Sequence, residues 1–151
     1  MRKPVCFLAL LLFAAPLFAE NPFAGTWKLN TEKTKYATGT PPKNVTIVIE
    51  ELGTNLQTIA TGISSDGSPI SSRFTVPISG GAGSVQKGNF DGVVSKQISA
   101  RARENSFMKD GKTVRSRYME VSKDGKTMTS KIKGTNPDGK PVNGMDVFDK
   151  Q

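Results

Sequence analysis

The side chains that could carry out chemistry in this sequence are few in kind. The chain has no histidine, and its single cysteine, Cys6, lies near the start. The usual zinc sites and the Ser–His or Cys–His nucleophiles therefore cannot be built. The adjacent acids Glu50 and Glu51 fall on one predicted strand and so face opposite sides, which makes them a poor acid–base pair. We expect a protein that is not an enzyme, with no catalytic residue, no metal and no cofactor.

Binding chemistry is indicated by two predicted strands, residues 112–121 and 126–133, that meet at Asp124 and Gly125. A two-residue turn there places the same-face residues Arg115, Arg117, Met119, Val121, Met128 and Ile132 together. If that face is the interior, Arg117 can orient an anionic head group while the methionines line the site. The predicted ligand-binding residues are Trp27, Arg117, Met119, Met128 and Ile132.

The pairing of these two strands is open to a second interpretation. A three-residue turn with a bulged Gly125 shifts the register by one position. Tyr118 and Glu120 would then share the face of Met128. The first register is favoured because it groups the apolar side chains.

The elements that position these residues follow from a repeated Asp-Gly-Lys tripeptide, spaced by 14 residues. Asp-Gly is a strong hairpin signal because both residues tolerate positive φ. The predicted structural turns are Asp110-Gly111, Asp124-Gly125 and Asp138-Gly139, with further turns at Asp66-Gly67 and Asp91-Gly92. Twelve residues between turns suit one strand each, so the spacing predicts an up-and-down antiparallel meander.

The residues between the turns are rich in β-branched side chains, and no segment keeps a helical period. The predicted strands are residues 24–30, 44–51, 55–63, 69–76, 92–99, 104–109, 112–121, 126–133 and 141–149. Segments 31–43 and 79–92 are rich in glycine or proline and predict loops, the second a mobile one. We predict an all-β antiparallel meander of eight to ten strands, closed into a barrel, with a two-sheet sandwich as the alternative.

The first 19 residues have the pattern of a cleaved signal peptide: a basic start, an apolar stretch and small residues before Glu20. We expect residues 20–151 to be the mature domain, exported to the periplasm or the extracellular space and monomeric. Disulfides are impossible there, because Cys6 is removed.

Positive charge is concentrated in residues 96–133, which hold 11 basic and 4 acidic side chains. An exported protein rarely meets nucleic acid, so we expect no nucleic-acid partner. The alternative function is therefore an interaction module whose basic surface contacts an acidic lipid, a cell-wall polymer or a protein. Solvated outer faces of strands explain the same charge pattern.

The segment "NPFAGTWKLN" (21–30), with Gly25 and Trp27 on a first strand, resembles the start of lipocalins and of intracellular fatty-acid-binding proteins. Together with "SKDGKTMT" and the final "GKPVNGMDVFDKQ", it resembles small exported bacterial proteins described as lipocalin-like. The resemblance implies a barrel closed at its base by Trp27. Because a barrel of about eight strands can hold one small ligand, we expect its interior to bind a small apolar or amphipathic molecule.

The sequence also departs from those families. Fatty-acid-binding proteins place Arg-x-Tyr on the last strand to hold a carboxylate, whereas this chain has Asp146-Val147-Phe148. Their helical lid does not fit in residues 31–43. No arginine follows Arg117 to stack on Trp27, as one does in lipocalins.

Overall fold

The computed structural model describes residues 19–151, and within that range the chain forms strands and turns and no helix. The predicted signal peptide, residues 1–19, lies outside the described residues except for Ala19. The strands are β1 (Gly25–Leu29), β2 (Lys35–Thr38), β3 (Asn44–Leu52), β4 (Asn55–Ile63), β5 (Pro69–Pro77), β6 (Gly81–Ala82), β7 (Ser84–Lys87), β8 (Gly92–Ser99), β9 (Ala102–Lys109), β10 (Lys112–Val121), β11 (Thr127–Thr135) and β12 (Pro141–Lys150).

All strands belong to one antiparallel sheet in the order β6-β8-β9-β10-β11-β12-β1-β3-β4-β5-β7, with β2 paired to β12. Neighbours in the chain are mostly neighbours in the sheet, and β1 returns to pair with β12. The predicted all-β, up-and-down antiparallel barrel is therefore confirmed, and the two-sheet sandwich is wrong.

The strand count exceeds the predicted eight to ten. All nine predicted strands form, and three short ones, β2, β6 and β7, arise in the two segments predicted as loops. Segment 31–43 contributes β2, which pairs with the part of β12 that β1 does not reach. Glycine content marked segment 79–92 as a loop, but backbone hydrogen bonds to two neighbouring strands hold part of it extended.

That second segment closes the barrel. β6 pairs with β8, β7 pairs with β5, and the two short strands are separated only by Gly83. The Gly83 amide donates to the Val93 carbonyl at 2.8 Å. A single stretch of chain thus bonds to both free edges of the sheet, which leaves the barrel nearly closed.

A buried arginine ties the same seam together. Arg103 of β9 donates from Nη2 to the Pro77 carbonyl at 3.1 Å and to the Ser95 Oγ at 2.9 Å. Its guanidinium carbon lies 5.6 Å from the centroid of the Phe23 ring. Side-chain hydrogen bonds from β9 therefore reach the end of β5, across the edge where strand pairing is shortest.

The repeated Asp-Gly pairs do end strands, but they form two kinds of turn. Asp110 and Gly111 have φ values of 52° and 75°, as a two-residue hairpin requires. In the turns at residues 124–125 and 138–139 only the glycine has a positive φ. The loops there are longer, and the glycine amide donates to a carbonyl three residues earlier.

The prediction of a turn at Asp91-Gly92 is wrong. Gly92 begins β8 with an ordinary φ, and the Asp91 carboxylate accepts a hydrogen bond from the Asp110 amide at 2.9 Å. This aspartate therefore supports the β9–β10 turn from outside it.

Of the two registers left open, the first is confirmed. Val121 pairs with Met128, Met119 with Ser130 and Arg117 with Ile132. The four-residue loop at Asp124 keeps this register, because two-residue and four-residue loops place the same residues opposite each other.

One end of the barrel is filled by side chains around Trp27, which has no exposed surface. The Trp27 indole nitrogen donates to the Phe23 carbonyl at 2.9 Å. Lys150 Nζ lies 5.3 Å from the centroid of the indole ring. A lysine of β12 is therefore the cation that contacts this ring. We call this the closed end.

Substituting Gly83→Ala tests the closure. A Cβ at this position would meet the Thr75 carbonyl oxygen and a Val76 methyl group. We expect the free energy of unfolding to fall by about 1–3 kcal/mol, the usual cost of overpacking, as measured by urea denaturation.

Gly92→Ala is the matched control, because its φ is also ordinary and a Cβ there meets the flexible Met108 side chain. Equal losses for the two variants would contradict the assignment of Gly83 as the closure point.

Candidate functional site

The barrel interior differs between its two ends. Inward side chains near Trp27 are buried, whereas several inward side chains toward the opposite end remain partly exposed. The partly exposed inward residues on β3, β4, β5 and β10 are Ile47, Thr58, Ala60, Ile70, Ser72, Arg115 and Arg117. Solvent therefore reaches this part of the interior, which we call the open half.

One wall of the open half is apolar. Ile47 and Ile70 pack against the core from β3 and β5. The Phe74 ring meets the Phe107 ring edge-on at 5.3 Å, and Phe90 lies 4.5 Å from Phe107. An alkyl or aryl group placed here would be removed from water by contact with aliphatic and aromatic side chains.

The other wall is polar and centres on a buried carboxylate. Arg117 Nη1 lies 2.7 Å from Asp146 Oδ2, with 24% of the Arg117 side chain and 2% of the Asp146 side chain exposed. Arg117 also donates to Ser130 Oγ at 3.1 Å, and the Tyr36 hydroxyl donates to Asp146 Oδ1 at 2.9 Å. Both carboxylate oxygens are thus satisfied by residues of the wall.

Burial and the neighbouring charges determine the protonation states of Arg117 and Tyr36. Burial alone would lower the pKa of Arg117, but the Asp146 carboxylate more than offsets it and raises that pKa. Burial, followed by the Asp146 charge, raises the pKa of Tyr36 well above its usual value. Arg117 therefore stays charged at neutral pH, while Tyr36 stays a neutral hydrogen-bond donor.

Arg115 has a different environment. Its Nε and Nη2 atoms donate to the Thr135 carbonyl at 2.9 and 2.8 Å. Within residues 19–151 the one ion pair joins Arg117 to Asp146, so no carboxylate lies against Arg115. Burial, and then the nearby Arg117 charge, lower the pKa of Arg115 to about 10. At neutral pH the wall therefore holds two guanidinium groups and one carboxylate, an excess of one positive charge.

The predicted site residues divide between this wall and the core. Arg117 lies beside solvent-accessible space, but its charge is already paired. Trp27 and Met128 are fully buried, Met119 and Ile132 nearly so. Packing explains their position, and their role as ligand contacts stays a prediction.

Sequence reasoning placed Arg115 on the correct face but did not choose it, and it missed Tyr36 and Asp146. Tyr36 lies on β2, a strand that was not predicted, and its ring packs over Gly144, where a Cβ would collide with it. The signal for Asp146 was an acid at an inward position, two residues from the buried Phe148. Its role in the site depends on the ion pair with Arg117, which is distant in the chain.

Two open clefts lie outside the barrel. One, of about 330 Å³, is lined by polar residues around Asn30 and Asp149. The other, of about 500 Å³, lies beside Gly25, Glu50 and Leu52. Neither cleft contains a predicted ligand-binding residue.

The basic segment 96–133 presents less charge to solvent than its composition suggests. Three of its 11 basic side chains, Arg103, Arg115 and Arg117, lie on the inward face. Eight basic and four acidic residues remain for the outer face and the turns. This distribution weakens the case for a dedicated basic surface that binds an acidic partner.

Other site chemistries find no support in residues 19–151. No group of three or more metal-ligating side chains comes together in that range. The same residues contain no helix of the length and hydrophobicity needed to cross a bilayer.

Comparisons with known proteins give one structural likeness to report. No protein-family model and no curated protein matches the chain. A solved structure described as the siderocalin Ex-FABP, which "functions through dual ligand specificities", covers 86% of this chain and 71% of its own at 12% identity, with a TM-score of 0.42. At that identity the likeness says nothing about what this chain binds.

The raised pKa of Tyr36 gives a pH prediction. A phenol whose pKa is higher in the folded than in the unfolded state stabilises the fold below its usual value of 10.0 and loses that contribution at higher pH. In a Tyr118→Phe variant, we expect no phenolate absorbance at 295 nm until the barrel unfolds in alkali.

Asp146→Asn in the same background should bring the ionisation of Tyr36 to lower pH, because it removes a carboxylate that raises this pKa. Ionisation of Tyr36 near pH 10 in the folded Tyr118→Phe protein would contradict the hydrogen bond to Asp146.

Proposed function

We propose that the open half of the barrel binds a small amphipathic molecule with one acidic group. The apolar part of the ligand lies against the wall that includes Ile47, Ile70 and the phenylalanine cluster. Its acidic group lies beside Arg115. The observation that carries the proposal is a half-buried guanidinium without a carboxylate, at the end of the interior that solvent can reach.

The energetics favour an anion over a neutral group at this position. Burial already lowers the pKa of Arg115, so its charge is poorly solvated, and a carboxylate would restore the lost interaction. Charge-assisted hydrogen bonds between arginine and a carboxylate are roughly twice as strong as neutral ones. Since Asp146 pairs with Arg117, one negative charge neutralises the wall, which favours a monoanion.

The proposed activity is reversible binding without chemical conversion. The chain has no histidine, and the acid nearest the site, Asp146, is fully engaged by Arg117 and Tyr36. The arrangement can hold and orient an acid, but it offers no free base beside it to activate a hydroxyl.

We further propose that residues 1–19 are removed and that the barrel acts outside the cytoplasm. The pattern of the first 19 residues supports this proposal. N-terminal sequencing of the protein from its own host tests it: a first residue of Glu20 is expected, and a retained leader would contradict it.

Titration calorimetry with decanoate and decan-1-ol tests the binding proposal, because the two molecules share a chain and differ in charge. Decanoate should bind more tightly than the alcohol. Arg115→Met should weaken decanoate binding by about ten- to hundredfold, the value of one charge-assisted hydrogen bond. Asp146→Asn should strengthen it, since it removes a competing carboxylate.

The double variant Lys131→Glu, Lys133→Glu is the control, because both lysines lie outside the interior on β11 and alternate with the buried Ile132. Unchanged decanoate affinity is expected. Loss of binding only in this variant would favour the alternative, a basic surface module, and equal affinity for acid and alcohol would contradict the role of Arg115.

A further inference from the structure

One buried polar atom of the wall has no hydrogen-bond partner. Asn105 lies on β9, opposite Ser95 of β8 and Arg117 of β10. The residue is 2% exposed. Within residues 19–151, Asn105 Oδ1 is the one buried side-chain oxygen or nitrogen of a non-exposed residue that forms no hydrogen bond.

Such an atom lowers stability. An unsatisfied buried acceptor costs about 1–3 kcal/mol, and a leucine side chain has the same branching without a polar atom. The surrounding groups are otherwise engaged: Ser95 Oγ accepts from Arg103, and Arg117 donates to Ser130 and Asp146. Packing alone therefore does not explain an amide at position 105.

The position of Asn105 relates it to the proposed acid site. Asn105 is the direct cross-strand neighbour of Arg117 and the diagonal neighbour of Arg115. Diagonal neighbours lie about 7–8 Å apart at Cα, a distance that two polar groups a few bonds apart on one molecule can bridge. The χ2 torsion of asparagine is soft, so Oδ1 can turn toward a group held beside Arg117.

We propose that Asn105 is a specificity residue that accepts a hydrogen bond from a hydroxyl on the ligand, close to the acidic group. The inference rests on the proposed function and narrows it to hydroxylated acids, such as a 3-hydroxyalkanoate. The carboxylate lies beside Arg115, and the hydroxyl donates to Asn105 Oδ1. An acid without the hydroxyl leaves Oδ1 unsatisfied.

The test compares 3-hydroxydecanoate with decanoate by titration calorimetry on the whole mature chain. The wild type should bind the hydroxy acid about tenfold more tightly, as one recovered hydrogen bond predicts. Asn105→Leu should remove this preference, so that the two acids bind this variant with equal affinity. Asn143→Leu makes the same substitution at an exposed position of β12 and should retain the preference.

The outcomes are distinguishable. Equal binding of both acids by the wild type overturns the role of Asn105 and leaves the proposed function standing. A preference that survives in Asn105→Leu also overturns it. Failure of both acids to bind the wild type overturns the proposed function together with this inference. The wild-type comparison decides the matter even if Asn105→Leu does not fold.

Discussion

Closure of the sheet is the constraint on which the rest of this structure depends. A rolled sheet has two free edges, and here one short segment around Gly83 bonds to both. Arg103 strengthens the same seam through the carbonyl of Pro77. Because residues 19–151 contain no cysteine, no disulfide can hold the edges together. Hydrogen bonds and close backbone approach do so, and the approach requires that position 83 carry no side chain.

Closure also determines where charge can be buried. At the closed end, Arg103 and Lys150 lie near the rings of Phe23 and Trp27, so their aliphatic parts contribute to the packing of the base. In the open half, the Arg117–Asp146 pair satisfies itself and leaves Arg115 as the excess cation. The interior is thus divided between a solid base and an accessible half with an apolar wall and a cationic wall.

Local patterns in the sequence predicted the elements whose causes are local. β-Branched residues between Asp-Gly turns gave all nine long strands, and grouping of apolar side chains gave the β10–β11 register. The short strands β2, β6 and β7 were missed because they exist only through hydrogen bonds to distant partners. The same reason explains the site: Arg117 was found on its own strand. Tyr36 and Asp146 become part of the site only when β2 pairs with β12.

The pairing of β1 with β12 has a consequence for the order of folding. Residues 141–150 supply neighbours to β1, β2 and β11 at once, and contacts between such distant parts of a chain form slowly. Until this segment is in place, Arg117 has no counter-ion and Trp27 lacks the lysine beside its ring. The hairpins formed earlier then expose two unpaired edges and an uncompensated cation. Pairing of β12 therefore joins β1 to β11 and places the counter-ion of Arg117 in a single step.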